Sequence, residues 1–496
     1  MDKICLIIPP SPFLMDERVF MSLGILKVAA VLEQSGTKVE MLDLSGIKNF
    51  SEVVSDYIKT RKDVHCFGLA STTPQLPSVT KITETIRSIR NDAKIILGGP
   101  HITLVNAAHK REKQKGIKGR AMKAMDNLIR MFDILIAGDG EKAIFLALNK
   151  KVSKIVDADD KNSPLFLDEQ SLNELPFPAR HLIDIDSYNY SIEGIPALSL
   201  ISQLGCPFGC GFCGGRESPM LRKIRMRTTE NIVEEMIHLY KATGRRGFMF
   251  YDDELNVNKK MLSLMNSLAK AQKKLGVEWR LRGFIKSELF TDEQAEAMSE
   301  AGFRWILAGF ESGSPQILKA INKKATREEN TRCAEIAKRH GLKVKALMSI
   351  GHPGENIDTL LETKKWLLET QPEDFDVTII TCYPGTPYYD LAVPDKNFTG
   401  VWKYTCPTGD NLYQTEVDYT TTSDYYKGSP DGGYCAYIFT DALSSEDLVR
   451  ERDKLERDIR SNLKIPFNRA TPAIQYEHSM GQFEQFPRNI LRISSF

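Results

Sequence analysis

Short apolar runs of four to seven residues recur through the first third of the chain, at 4–8, 39–44, 64–70, 94–97 and 133–137. Between them, 24–34 and 79–90 carry apolar residues at helical spacing. Unbroken apolar strands alternating with amphipathic helices predict a parallel sheet covered on both faces, over residues 1–145. Each run gives way to small or turn-forming residues, among them Ser71, Thr72, Gly98, Gly99, Gly138 and Gly140. Ligands of open α/β sheets sit beyond these carboxyl ends, where small side chains let a large planar molecule approach the backbone.

The alternation resumes after residue 195. Strand-like runs at 197–203, 247–251, 278–284, 305–311, 343–350 and 376–382 are separated by helical stretches at 230–243, 292–301, 315–320 and 357–368. These repeats predict a partial (β/α)6 barrel over 196–390, with its chemistry at the carboxyl ends of the strands. Those ends carry Asp252, Asp253 and Glu254, then Glu311, then Gly351, His352, Pro353 and Glu355. Taken singly, such acids also serve as turn and helix caps. Residues 146–195 read as a linker, charged over 150–162 and held extended by Pro176 and Pro178. Residues 391–496 read as a small mixed region that caps the barrel or holds substrate. Its tyrosines 413, 419, 425, 426, 434 and 437 either line a polar-aromatic pocket or pack an irregular loop. A charged helix from Ser444 to about Leu463 follows.

Composition narrows the class. With 496 residues, 42% hydrophobic and 26% charged, the chain has apolar content for two or three soluble domains. Lys+Arg 66 against Asp+Glu 65 leaves no basic footprint for nucleic acid or an anionic membrane surface. No apolar run approaches the ~20 residues that span a bilayer. The run at 4–10 is too short for a signal peptide and reads as a first strand. An odd count of nine cysteines argues against a disulfide framework and points to the cytoplasm, where thiolates stay reduced.

Three of the nine share one glycine-rich loop. Cys206, Cys210 and Cys213 stand at C-x3-C-x2-C spacing, flanked by Gly205, Gly209, Gly211, Gly214 and Gly215. Three thiolates this close can hold three irons of a cubane cluster and leave the fourth iron open for chemistry. A structural zinc site takes four protein ligands, commonly as paired C-x2-C knuckles, and no second pair follows. With the aromatic Phe212 just before the last cysteine, the loop resembles the cluster loop of radical S-adenosylmethionine (SAM) enzymes. Gly98-Gly99-Pro100-His101, Gly138-Asp139-Gly140-Glu141 and the joint Leu175-Pro176-Phe177-Pro178 resemble the subclass in which a cobalamin-binding domain precedes the cluster domain, the class B methyltransferases.

The resemblance implies a Rossmann-like cobalamin domain ahead of a TIM-type radical SAM barrel. It implies a [4Fe-4S] cluster on Cys206, Cys210 and Cys213, and SAM held near Phe212, Asp252, Asp253, Glu311, Gly351 and Pro353. Cobalamin would lie against Ser71, Thr72, Gly98, Gly99, Gly138 and Gly140. The expected activity is SAM cleavage to a 5′-deoxyadenosyl radical and methylation of an unactivated carbon of a small molecule. Flavodoxin or ferredoxin would serve as electron donor. Two alternatives remain: a radical cyclase, oxidase or rearrangement enzyme, and a non-catalytic corrinoid or redox-sensing protein. Asp63-x-His65-x-x-Gly68 matches a signature that places histidine below cobalt, but it runs into the third strand rather than following the first. It is read as coincidence.

Overall fold

The computed structural model describes residues 3–14, 16–149, 151–215, 217–425, 430–433, 435–467 and 490–494. The first unit alternates strand and helix. Its strands are β1 (Lys3–Ile8), β2 (Lys38–Asp43), β3 (Cys66–Ala70), β4 (Lys94–Gly98), β5 (Ile134–Gly138) and β6 (Ile155–Ala158). Its helices are α1 (Leu23–Gln34), α2 (Phe50–Thr60), α3 (Leu76–Ile89), α4 (Pro100–Lys115), α5 (Arg120–Met131) and α6 (Gly140–Leu148). β1 to β6 are parallel in the order β2-β1-β3-β4-β5-β6. Both faces are covered, which is why the strands read as continuous apolar runs rather than alternating ones.

β6 extends this sheet beyond residue 145, into the stretch read from sequence as linker. The linker continues through α7 (Glu169–Glu174) to a short hairpin of β7 (Ser191–Ile192) and β8 (Ile195–Leu200). β9 (Gln203–Leu204) and β10 (Arg225–Met226) pair antiparallel and close the neck of the cysteine loop, with α8 (Pro219–Arg222) between them.

The second unit is a curled sheet. β8 is followed by β11 (Gly247–Phe250), β12 (Arg280–Ile285), β13 (Phe303–Glu311), β14 (Lys343–Ile350) and β15 (Asp374–Ile379), six parallel strands in sequence order. Helices α9 (Thr229–Thr243), α10 (Met261–Leu275), α11 (Asp292–Ala301), α12 (Pro315–Ala320), α13 (Arg327–Arg339) and α14 (Ile357–Thr370) connect them. This is the partial (β/α)6 barrel that the repeat predicts.

After α15 (Pro387–Asp390), the strands β16 (Val393–Pro394), β17 (Val401–Thr405), β18 (Asn411–Thr415) and β19 (Ile438–Thr440) form an antiparallel sheet. Then α16 (Ser445–Leu463) packs against α14 and β15. Its charged pattern predicts a helix that faces solvent on one side; on the other, Arg452 Nε donates to the Val377 carbonyl at 3.0 Å and Arg460 Nη2 to the Phe375 carbonyl at 2.8 Å. The two arginines satisfy carbonyls on the open edge of β15, where an unpaired strand would otherwise invite association. β20 (Leu491–Ile493) returns to the first sheet and pairs antiparallel with β2.

Candidate active site

The carboxyl ends of β1, β3, β4 and β5 open into a cavity of about 330 Å³, roofed by α1 and α6. Ser71, Thr72, Gly98, Gly99, Gly138 and Gly140, drawn from sequence alone, all line it. Its opposite wall belongs to the barrel unit: Ile201, Leu204 and Met220. Gly99 shows why glycine stands there. Its φ is +99°, and a Cβ would lie 2.7 Å from the Ser71 nitrogen, so a side chain would strain the turn and fill the cradle.

The walls are mostly apolar; their polar residues are Ser22, Gln75, those at the β-strand ends, and the charged Lys27 and Glu141. Burial lowers the Lys27 pKa and raises that of Glu141. Sequence reading missed this pair, because two charges on different helices carry no joint pattern. Among the described residues, no histidine lines the cavity. His65 sits instead just ahead of β3, exposed to solvent, with Nδ1 3.2 Å from Asp92. A mostly apolar cavity over small-residue turns suits the insertion of a bulky heterocyclic cofactor.

The cysteine loop begins where β9 ends. Gly205 makes its first bend at φ +89°, where a Cβ would sit 2.2 Å from the Lys223 carbonyl oxygen. Neighbouring loops hold the rest by backbone hydrogen bonds: Cys206 N–H to Leu221 O at 3.0 Å, Gly211 N–H to Ile321 O at 2.9 Å, and Gly215 N–H to Gly385 O at 3.1 Å. Asn322 Nδ2 donates to Gly209 O at 2.9 Å. Cys210 is buried, while Cys206 and Cys213 are partly open. Phe212 packs on Ile317, Leu318 and Ile321, and meets the His352 ring edge-on at 5.3 Å. Among the described residues, no group of three His, Cys, Asp or Glu could hold a single metal ion. Thiolates on three different irons of a cubane stand farther apart than ligands sharing one ion. The loop's donor set, three thiols on a backbone fixed from both sides, suits such a cluster.

The strand-end acids divide into two kinds. Asp252 is buried, and its Oδ1 accepts from Ser202 N at 2.8 Å, Ser202 Oγ at 2.9 Å and the Gln203 N–H. It thereby pins the chain leading into the cysteine loop. Its Oδ2 has no partner, and burial pushes the carboxyl up to about 7. Asp253, the next residue, is exposed.

Glu254 lies close behind them, its Oε2 without a partner and its pKa raised by burial to about 7, against the pull of Lys323 and Lys286. Lys323 Nζ is 3.2 Å from Glu311 Oε1. Burial pulls Lys323 down, but Glu311 and Glu254 together carry its pKa well above the ordinary lysine value, so it stays charged. Lys286 pairs with Glu288 at 2.7 Å and lies 4.1 Å over the Phe208 ring of the cysteine loop. Two buried ammonium groups, each paired with a carboxylate, thus lie beside the cysteine loop. Sequence reading missed both lysines.

Glu311 occupies a bulge in β13 with φ +65°, a conformation that non-glycine residues keep only when the surroundings enforce it. Its second oxygen accepts from Ser349 Oγ at 2.7 Å, and that hydroxyl is 2.8 Å from His352 Nε2. Burial lowers His352 to about 3, so the ring is neutral. Gly351 and Pro353 are buried in the turn after β14, where Gly351 N–H donates to Glu355 at 3.2 Å.

The tyrosines of the last region also divide. Tyr419 and Tyr437 line a separate cavity between the two units, whereas Tyr425 packs among Tyr383, Tyr419 and Tyr437. Tyr413 stacks on Phe439 at 4.8 Å, and Tyr426 and Tyr434 lie outside the described residues. No helix among the described residues is long and apolar enough to cross a membrane.

Comparison with known proteins agrees with both halves. Residues 17–129 match the B12 binding domain, and residues 200–367 match the Radical SAM superfamily. An uncharacterised methyltransferase of Pyrococcus horikoshii is 26% identical over 401 residues, covering 79% of this chain and 84% of that protein. An anaerobic magnesium-protoporphyrin IX monomethyl ester cyclase of Rubrivivax gelatinosus is 24% identical over 333 residues, covering 65% of this chain and 57% of the cyclase. Among solved structures, the radical SAM methyltransferase TsrM of Kitasatospora setae, with cobalamin and a [4Fe-4S] cluster bound, superposes with TM-score 0.63 at 16% identity. That match covers 92% of this chain and 91% of TsrM.

Proposed function

We propose that the chain is a radical SAM enzyme that carries a B12-binding domain, and that it methylates an unactivated carbon of a small molecule. One observation carries the reading: the six small residues at the first sheet's carboxyl ends and the strand feeding the cysteine loop wall the same cavity. A corrinoid held by the first unit would then face the barrel mouth. When bound, the cluster and cobalamin supply reductive SAM cleavage and methyl carriage.

The chain's own residues fix the geometry. Cys206, Cys210 and Cys213 would ligate the cluster. Asp253 and Glu254 would accept hydrogen bonds from the amino group of SAM. Asp252 holds residues 202 and 203 in place for them. Glu311, fixed by Lys323 and Ser349, would face the ribose, and Phe212, Gly351 and Pro353 would shape the SAM pocket. Ser71, Thr72, Gly98, Gly99, Gly138 and Gly140 would cradle the corrinoid. A flavodoxin or ferredoxin would deliver the electron, and the reducing cytoplasm is where such a cluster survives.

The test is anaerobic reconstitution with iron, sulfide, hydroxocobalamin, SAM and a strong reductant, followed by quantifying 5′-deoxyadenosine and S-adenosylhomocysteine. Both products support a methylase. Deoxyadenosine alone favours the second reading, a radical cyclase or oxidase, to which the similarity to the Rubrivivax gelatinosus cyclase gives some weight. Neither product from a protein with an intact cluster, unless turnover requires the substrate, would leave only the non-catalytic corrinoid or redox protein.

A further inference from the structure

A second cavity, of about 380 Å³, lies where α4 and α5 of the first unit meet the end of β15 and the strand β18. It adjoins both cofactor sites through the chain itself. Pro100 lines the first cavity and the next residue, His101, lines this one. Cys382 and Pro384 line it, and the adjacent Gly385 accepts the hydrogen bond from Gly215 of the cysteine loop.

The cavity contains one cation whose charge no side chain answers. Arg120, the first residue of α5, lies with its guanidinium 3.8 Å from the Tyr389 ring and 4.2 Å from the Trp402 ring. Its hydrogen bonds go to neutral acceptors, Gln414 Oε1 at 3.2 Å and Tyr389 O at 2.8 Å. Among the described residues it makes no salt bridge, because the surrounding carboxylates are engaged elsewhere. Asp390 pairs with Arg111 at 3.5 Å and Glu416 with Lys123 at 2.6 Å. Glu112 accepts from the N–H groups of Ala121 and Met122 at 3.0 and 2.8 Å. His101 adds no charge, since burial lowers it to about 4.

A half-buried guanidinium clamped between two rings has a fixed plane and an unmet charge, the arrangement that recognises a planar anion. The remaining walls mix aliphatic and polar side chains with two further tyrosine rings, Tyr419 and Tyr437, against which a ring could pack.

We propose that this cavity takes the carboxylate end of the substrate, a small organic acid with a planar or ring-bearing body, anchored by Arg120. The choice of carboxylate over phosphate follows from charge. One guanidinium balances one negative charge, since the other cation of the lining, Lys123, is already paired with Glu416, and Asp418 at the same cavity disfavours a second. The assignment deepens the small-molecule reading above and rests on it.

The test measures ligand-observed NMR binding of phenylacetate, phenylacetamide and phenylphosphonate to the full chain, with no cofactor added. The wild type should bind phenylacetate at least about tenfold more tightly than the isosteric amide, as a charged hydrogen-bonded pair requires. Arg120→Gln should erase that preference, and Arg120→Lys should restore part of it. Equal binding of acid and amide by the wild type overturns the proposal, and so does a preference that survives in Arg120→Gln. Tighter binding of the phosphonate, or no phenylacetate signal at millimolar concentration, does so as well. If Arg120→Gln does not fold, the wild-type ratio of acid to amide decides. The SAM products are assayed separately. SAM cleavage without an acid preference sinks this inference alone, and an acid preference without cleavage sinks the enzymatic reading and leaves only an acid-binding cavity.

Discussion

Glu355 shows what a single buried side chain does to this molecule. It is fully buried with no cation beside it, and burial carries its carboxyl from the ordinary 4.5 up to about 7. The native state therefore keeps a proton that the unfolded chain has released. Stability falls as pH rises from about 4.5 to about 7, and this group adds no further change outside that window. The loss amounts to about 3 kcal/mol for one such group. Asp252 and Glu254, both raised by burial to about 7, act in the same direction. Denaturant unfolding of the cofactor-free chain should show lower stability at pH 8 than at pH 5, and Glu355→Gln should shrink that difference. An unchanged difference would mean that Glu355 titrates normally. The acids were legible in the sequence because they follow apolar runs in order. Lys286 and Lys323 were not, since a lysine after a strand or helix looks like any solvated lysine until folding buries it.

Among the elements, the β4–α4 turn and the cysteine loop are tight backbone structures with no room for a side chain. Gly99→Ala places a Cβ 2.7 Å from the Ser71 nitrogen at φ +99°. The variant should lose hydroxocobalamin on gel filtration while keeping the iron content of the wild type. Conversely, Cys210→Ala should lose iron–sulfur absorbance and keep the corrinoid. A Gly99→Ala protein that retains corrinoid at the wild-type ratio would remove that turn from the cofactor cradle. Both loops were readable because clustered glycine and cysteine have few other uses. The role of α16 was hidden, because Arg452 and Arg460 read as surface charge, whereas their targets are carbonyls on a strand some 80 residues earlier. The bulge at Glu311 was equally unreadable: its residue type was found, but its positive φ depends on Lys323 and Ser349 packed around it.

At the scale of the whole molecule, buried polar ties lock the two units together. Arg225 on β10 and Asp139 after β5 pair at 2.5 Å, both almost wholly buried. Asp159, beyond β6, accepts from Ser218 Oγ and Met220 N at 2.8 Å each. Leu104 of α4 packs against Gly214 of the cysteine loop. Truncating Arg225 to Ala strands the buried Asp139 carboxylate and should cost about 3–5 kcal/mol of unfolding stability. A loss below about 1 kcal/mol, measured by denaturant melts, would show that the tie is solvated. The order of two α/β units was plain from the periodicity. Their mutual orientation was not, because it rests on single buried pairs such as Arg225 and Asp139, which lie far apart in the chain.

That orientation sets the first sheet's cavity against the strand that feeds the cysteine loop, and the most direct test of the proposed chemistry is the fate of SAM labelled with deuterium in its methyl group. The reconstituted chain is given this substrate and a reductant, with and without corrinoid, alongside Cys210→Ala. The account predicts that unlabelled S-adenosylhomocysteine appears only when corrinoid is bound. It also predicts that 5′-deoxyadenosine carrying no label appears only when Cys210 is present. S-adenosylhomocysteine formed equally well without corrinoid, or deoxyadenosine formed by Cys210→Ala, would contradict it.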